Sequence, residues 1–365
     1  MKKAKKAFQS CIIIVNPTRY PKAVRKLKKL LKHYKAPKVI ITKSKEHFME
    51  SVRDFYHNSD YTNLLVWGGD GTANDAINGI IEEKKKDETV RKKAIGFLRG
   101  GSGNGIQSSY EVPIRLEKQV EAYSESMIKG YTIDTDIIKV KTKGQVKYGQ
   151  LVGLGFDTLV LDRRNNNHYW IGKRKGEIRK GFFNYAQAFV RSFLIEKNFF
   201  SHYHLKLFDG CYVYFGNNVN SEYCFKTLIR NIRTPMIEVG IRPYYGSLFK
   251  VCPYVVCNDG YIDVYVFGFQ TKVSILYNFL DLYRGKFFRI NRRFARKELP
   301  IIENYKVKEI KIESFEPFHY HIDGELYTAD QLKDKKFRLE LKVLPRSLTF
   351  LVPPAFYRKF YPFNT

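Results

Sequence analysis

Two glycine clusters stand directly behind apolar runs. NLLVW (63–67) leads into Gly68-Gly69-Asp70-Gly71-Thr72, and AIGFL (94–98) leads through Arg99 into Gly100-Gly101-Ser102-Gly103-Asn104-Gly105. A short, unbroken apolar run closed by turn residues suits a strand buried on both faces. CIIIV (11–15), closed by Asn16-Pro17, and VIIT (39–42) are of the same kind. The stretches between them carry helical spacing: Val24, Leu27, Leu30 and Leu31 within 22–34, Phe48, Val52, Phe55 and Tyr56 within 47–57, and AINGII (76–81) in a helix that begins at Ala73. Strands alternating with helices predict βαβ units and a parallel sheet. Ligands of such open sheets bind beyond the carboxyl ends of the strands, where both glycine clusters and Asn16-Pro17-Thr18 fall.

From about residue 132 the pattern changes. DIIKVKT, YGQLVGLGF, HLKLF, CYVYFGN, YIDVYVFGF, EIKIES, RLELKVL and LTFLVP are short, often alternating and rich in Val, Ile, Tyr and Phe. They predict an antiparallel β domain. Two helical stretches interrupt it, one over about 177–196 with Phe182, Tyr185, Ala186, Phe189 and Phe193 on one face, the other over about 274–297. The domain boundary is placed after residue 133.

Lys and Arg number 64 against 36 Asp and Glu, a formal charge of +28 in 365 residues. Nucleic acid, acidic lipid or a polyphosphate ligand would each match that charge, as would a merely lysine-rich background. The 44% apolar content argues against disorder, and the lack of any long apolar run argues against a polytopic membrane protein. Five cysteines without a CxxC pair fit neither a disulfide framework nor a zinc knuckle, so reduced thiols are expected, with Cys11 and Cys211 as core residues. The apolar stretch in MKKAKKAFQSCIIIVNP is too short for a signal peptide and reads as a buried first strand.

Glycines in the two loops let the backbone turn tightly and approach a ligand. Thr72 is expected to cap the following helix, whose amino end offers N–H groups to an anion. A carboxylate at Asp70, among phosphate-facing amides, makes chemical sense as a metal ligand or a proton acceptor. GxxxxGK[ST], GxGxxG at dinucleotide-fold spacing, HRD and DFG are all absent. A phosphoryl-transfer enzyme with these loops belongs to none of those classes.

IIIVNP, GGDGTANDAINGI, LRGGSGNGI, CNDGYIDVYVF and HIDGE (321–325) follow one another along most of the chain. In this combination the sequence resembles the diacylglycerol-kinase catalytic-domain family, which includes bacterial lipid kinases and the sphingosine and ceramide kinases. Lys173-Arg174-Lys175-Gly176-Glu177-Ile178-Arg179 resembles the basic segment that sphingosine kinases use around nucleotide phosphates. GSGN in place of GTGND points the same way. The resemblance implies a phosphofructokinase-like α/β domain (1–133) that binds nucleotide, followed by an antiparallel β-sandwich domain (134–365) that binds lipid. It also implies ATP and Mg2+ as cofactors, with the γ-phosphoryl passing to a hydroxyl of a sphingosine- or ceramide-like lipid or of diacylglycerol.

By the same resemblance Asn16, Pro17, Thr18, Gly68, Gly69, Gly71, Thr72, Asp75, Gly101, Ser102, Gly103, Asn104, Gly324 and Glu325 would surround the nucleotide, and Lys173, Arg174 and Arg179 would add positive charge. Glu325 and Asp70 would hold the catalytic Mg2+. Asp323 and Asp70 compete to be the general base, with Asp323 slightly preferred. Asp259 with the carbonyls of Val256 and Tyr261 would bind a structural Mg2+, the plain alternative being an Asn-Asp-Gly hairpin turn. Asp157 and Asp162 are candidates for contact with the acceptor head group. The sequence departs from the family at Thr18-Arg19-Tyr20, where Ser-Gly is usual, at Asp75, which replaces Glu, and at Gly105, which replaces an Asp common in diacylglycerol kinases.

The expected partners are a lipid acceptor and the anionic inner face of a membrane, approached peripherally from the cytoplasm. YRGKFFRINRRFARK (283–297) mixes Phe287, Phe288, Ile290 and Phe294 with basic residues and is the expected contact. No nucleic acid is expected, and a homodimer is left open. An NAD kinase shares GGDGT and the first-domain fold, but GSGNG and Asp-Gly-Glu argue against it. A non-catalytic basic module binding nucleic acid or acidic lipid is opposed by the retention of Asp70, Asp323 and Glu325.

Overall fold

The computed structural model describes residues 7–17, 21–34, 38–87, 92–142, 144–165, 182–196, 199–213, 222–247 and 249–362. The chain forms two units, Met1–Thr135 together with Arg346–Thr365, and Asp136–Pro345.

The first unit is built on β1 (Cys11–Val15), β2 (Lys38–Ile41), β3 (Asn63–Gly68) and β4 (Ala94–Arg99). They pair in the order β4-β3-β1-β2, all parallel. Ile13 and Val15 pack on Val24, Leu27, Val120 and Tyr123. Ile12 and Ile14, which alternate with them, are buried as well. Burial on both faces is why these strands read as continuous apolar runs. Helix Lys45–His57 starts at Ser44, whose hydroxyl accepts the His47 N–H. Helix Leu116–Lys129 ends at Gly130 in the left-handed conformation. Helix Asp70–Lys86 begins three residues before the expected start, with Gly69 as its cap residue and no side-chain cap, so Thr72 does not cap it.

The second unit carries most of β5 (Thr132–Thr142), β6 (Gln145–Gly149), β7 (Leu151–Gly155), β8 (Ser201–Val213), β9 (Glu222–Thr234), β10 (Met236–Gly240), β11 (Tyr244–Tyr245), β12 (Phe249–Lys250), β13 (Ile262–Phe267), β14 (Ile302–Ser314), β15 (His319–Ile322), β16 (Glu325–Thr328), β17 (Asp330–Gln331) and most of β18 (Phe337–Leu351). Antiparallel pairing runs β16-β15-β7-β10-β13-β14. Along one edge β14 pairs first with β13, over 302–307, then with β18, over 309–314, while its other edge pairs with β8. One core joins Val152, Leu154, Ile237, Val239, Val264, Ile310 and Leu341. A second joins Phe156, Phe199, Tyr265, Phe267, Phe287, Ile290 and Phe294, where helices pack on the sheet. The class is the one expected, an α/β unit and an antiparallel β-sandwich-like unit.

Two expectations are corrected. LTFLVP was assigned to the sandwich, but Thr349 and Phe350 of β18 pair in parallel with Ala94 and Ile95 of β4, extending the first sheet. The following helix, Pro354–Phe360, stays with the same unit: Tyr357 stacks on Tyr131 at 4.3 Å and Arg358 pairs with Glu125 at 2.7 Å. The crossing falls inside one strand, where no change of composition marks it. Cys211 and Cys224, expected as thiols, face each other in register across β8 and β9 and form a disulfide, whereas Cys11, Cys252 and Cys257 are buried outside any bridge.

Candidate active site

The two glycine loops meet at the carboxyl ends of β3 and β4. A Cβ on Gly101 would overlap the Cα of Gly69, so Gly101 tolerates no side chain while the loops stay in contact. The Gly100 N–H donates to the Gly68 carbonyl at 2.9 Å, prolonging the pairing of the strands. Asn104 adopts a left-handed conformation (φ 54°) and closes its loop on Gly101 twice, accepting the Gly101 N–H at 3.0 Å and donating to its carbonyl at 2.7 Å. Asp70 ties the loops together, its carboxylate accepting the Ile106 N–H at 2.9 Å. Asn16 joins them from β1, its side chain donating to the Thr72 hydroxyl at 3.1 Å. Three motifs far apart in sequence thus share one sheet edge. The amino end of a 17-residue helix opens there beside backbone free of side chains, which is the chemistry of an anion cradle.

Two residues that hold this edge were missed in the sequence. Buried Gln107 donates to the carbonyls of Gly68 and Leu98. Arg99 donates to the Val112 carbonyl and the Ser108 hydroxyl, and its charge interacts with Asp70. Asp75, expected near the nucleotide, pairs with Lys45 at 2.7 Å. Ser102 and Gly103 complete the second loop.

In the second unit Asp323-Gly324 is the turn between β15 and β16, with both residues at positive φ (49° and 89°), as a two-residue type I′ hairpin requires. The turn directs Asp323 inward. One carboxylate oxygen accepts from Arg242 Nη2 at 2.9 Å and Nε at 3.2 Å, and the other accepts the Gln150 N–H at 3.0 Å. The side chains are 2% and 0% exposed for Arg242 and Asp323, so the pair is closed off from water. Glu325 is half-buried and accepts from the Tyr327 hydroxyl at 2.8 Å.

Beside this pair lies a second buried group. Gly153 on β7 is in register with Glu238 on β10 and with His321 on β15. A Cβ at Gly153 would overlap Asp157 and His321 and crowd Glu238, so its absence makes the space in which the three meet. His321 Nε2 is 2.7 Å from Asp157 Oδ2. Three ligand atoms within 4.8 Å have the composition of a metal site. The Gly324 N–H faces Nδ1 at 3.4 Å, while His321 Nε2 and the carboxylate oxygens of Asp157 and Glu238 are buried with no hydrogen-bond partner outside the trio among the described residues, so the trio's contacts are compatible with an ion. Burial, then the neighbouring Asp157 charge, pushes the Glu238 carboxyl well above its ordinary range, favouring a protonated form that can donate to Asp157. Asp162, on the same helix as Asp157, lies outside this group.

The residues expected to hold a structural Mg2+ do not fit an ion. Asp259 takes the Lys306 ammonium at 2.5 Å and accepts the Tyr261 N–H at 3.1 Å, and Gly260 turns at φ 79°. The lysine already supplies the positive charge, and the turn is held by Asp136, whose carboxylate accepts the Gly260 N–H at 2.7 Å and whose own N–H donates to the Cys257 carbonyl at 2.7 Å. Phe287, Ile290 and Phe294 are buried against Tyr265, Phe267 and Phe269, so these three are core, whereas Phe288 is exposed. Phe189 and Phe193 likewise pack on Phe156. Thr18, Lys173, Arg174 and Arg179 lie outside the described residues.

Residues 10–140 match the diacylglycerol kinase catalytic domain, and residues 204–352 match the YegS C-terminal NAD kinase beta sandwich-like domain. Residues 10–140 thus carry the fold and motifs of a diacylglycerol kinase catalytic domain. It is 28% identical over 138 residues to Sphingosine kinase 1 of Arabidopsis thaliana, a match that covers 38% of this chain and only 28% of the plant protein. Sphingoid long chain base kinase 4 of Schizosaccharomyces pombe is 22% identical over 87% of this chain and 68% of its own length. Diacylglycerol kinase of Staphylococcus carnosus is 29% identical over 73% and 71%. The fold is similar to the crystal structure of a diacylglycerol kinase from Bacillus anthracis, with a TM-score of 0.60, 16% identity, and coverage of 95% of this chain and 98% of that one.

Proposed function

We propose that this protein is an ATP-dependent lipid kinase whose acceptor is a sphingoid-type or diacylglycerol hydroxyl. The observation that carries the reading is the pair of glycine loops held face to face around Asp70. Such loops bind a polyphosphate through backbone N–H groups, and phosphoryl transfer asks of a protein mainly positioning and charge neutralisation. Bound Mg2+-ATP would supply the phosphoryl group and a cation that screens its oxygens, with Asp70 as the proposed carboxylate ligand. Amides of Gly69, Gly71, Thr72, Gly101, Ser102 and Gly103 hold phosphate oxygens. Asp70 is also the better candidate for the base, because Asp323 is committed to Arg242 and Gln150. The acceptor oxygen attacks the γ-phosphorus as its proton passes to a carboxylate, and ADP leaves.

The acceptor class is tested with radiolabelled ATP on diacylglycerol, sphingosine, ceramide and monoacylglycerol in mixed micelles, with NAD as a soluble control. Label in a lipid, lost in Asp70→Asn while the protein stays folded, supports the reading. Label in NAD alone, or in nothing, refutes it.

A further inference from the structure

Helices Lys272–Tyr277 and Phe279–Tyr283 are apolar on both sides. Their inner side is accounted for by Ile275 and Leu282, which are buried. Their outer side is not: Val273, Leu276, Tyr277 and Leu280 are 76%, 63%, 79% and 65% exposed. A helix apolar all round normally lies inside a protein or in lipid. This one is nevertheless firmly built. The Thr271 hydroxyl caps it by accepting the Ser274 N–H, and Lys272 Nζ donates to the carbonyls of Phe193 and Glu196 at 2.8 and 2.5 Å. That anchor brings up the end of helix Phe182–Ile195, where Leu194 is 72% exposed. Phe189 meets Phe279 at 5.4 Å across the same junction.

The fringe is basic. Helix Phe287–Ala295 buries Phe287, Ile290 and Phe294, so its outward side is Arg289 and Arg292 with the exposed Phe288 ring beside Arg289, and Arg284 and Arg296 are exposed at its ends. Arg293 fixes this helix to the apolar one, pairing with Asp281 at 2.7 Å and lying over the Tyr277 ring. An isologous contact between two copies would set this basic fringe near its own image, a repulsive arrangement. A bilayer bearing acidic lipid instead offers hydrocarbon for the apolar residues and phosphates for the arginines.

We propose that the outer side of 272–283, with Leu194, is the surface by which this protein docks on an anionic membrane, the aliphatic side chains entering the acyl boundary and Arg284, Arg289, Arg292 and Arg296 meeting lipid phosphates. The proposal rests on the lipid-acceptor reading and says where such an acceptor's membrane is met.

Flotation of the full chain tests it. The wild type is expected to float with phosphatidylcholine–phosphatidylserine vesicles, and at least tenfold less with phosphatidylcholine alone or in high salt. Leu276→Glu with Leu280→Glu is expected to lower partitioning onto the acidic vesicles at least tenfold, with thermal melting and turnover of a dispersed short-chain acceptor unchanged. Should that variant melt early, Arg289→Glu with Arg292→Glu must give the same loss in a folded protein. Wild-type partitioning in both variants overturns the proposal. So does a wild-type dimer, by light scattering, that these substitutions split while vesicle binding persists. Flotation needs no turnover, so a protein that docks but phosphorylates no lipid refutes the kinase reading and leaves the surface standing.

Discussion

Arg242→Leu is the most demanding test of the second unit's interior. In the native protein the guanidinium meets Asp323 through two nitrogens at 2.9 and 3.2 Å and also donates to the Tyr244 carbonyl. Both side chains are essentially out of water. Removing one member of a buried ion pair strands the other charge, at a cost of about 3–5 kcal/mol. In a unit of about 200 residues each kcal/mol moves the melting temperature by about 2–4 °C, so the variant should melt roughly 10 °C early. Asp323→Asn added to Arg242→Leu removes the stranded charge while keeping an acceptor for the Gln150 N–H and a residue type that tolerates positive φ. The double variant should therefore recover at least half of the loss, a coupling visible in a double-mutant cycle by urea unfolding. Additive effects, or a single variant within about 1 kcal/mol of wild type, which is what an exposed pair would give, refute the argument.

The same geometry separates the two candidate bases: Asp70→Asn should lower turnover at least about 100-fold with an unchanged melting temperature, whereas Asp323→Asn should act first on stability, and the reverse pattern in a lipid kinase assay would return the role to Asp323. Gly101→Ala should weaken binding of a fluorescent ATP analogue at least about tenfold, because its Cβ cannot fit against Gly69, and normal affinity would mean the loops need not touch. Burial raises the pKa of Asp263 from 3.8 to about 6, against the pull of Lys306. The folded state then keeps a proton that the unfolded chain has released, so up to about 3 kcal/mol of stability, full below pH 4, is lost as pH rises to about 6. Urea midpoints of wild type minus Asp263→Asn should show that slope, and a flat difference would disprove it. Iodoacetamide on the unfolded, unreduced chain should label three of the five cysteines, and five labels would mean the Cys211–Cys224 pair is reduced.

Much of the first unit was legible because its signals are local. An apolar run and the glycines behind it lie within a dozen residues, and the alternation of such units with helical spacing leaves few topologies. The second unit was legible in class but not in its polar interior. Arg242 meets Asp323 across 81 positions, and Glu238, Gly153 and His321 become neighbours only through strand register, which alternation does not reveal. His321 stood inside the HIDGE motif, yet its role depends on Asp157, far upstream. Phe287, Ile290 and Phe294 did carry a readable signal. Spaced by three and four, they form the core stripe of an amphipathic helix, and the basic residues among them drew attention to the wrong face.

Strand β18 has a consequence for the order in which the molecule can be completed. The first sheet receives its outermost strand from Thr349 and Phe350, so a ribosome must pass about 250 residues beyond β4 before that sheet can close. Until then the flank of β4 waits with its peptide groups unmatched, an invitation to wrong partners. A truncation after Pro345 that looks harmless on paper would keep the newborn protein in that condition permanently.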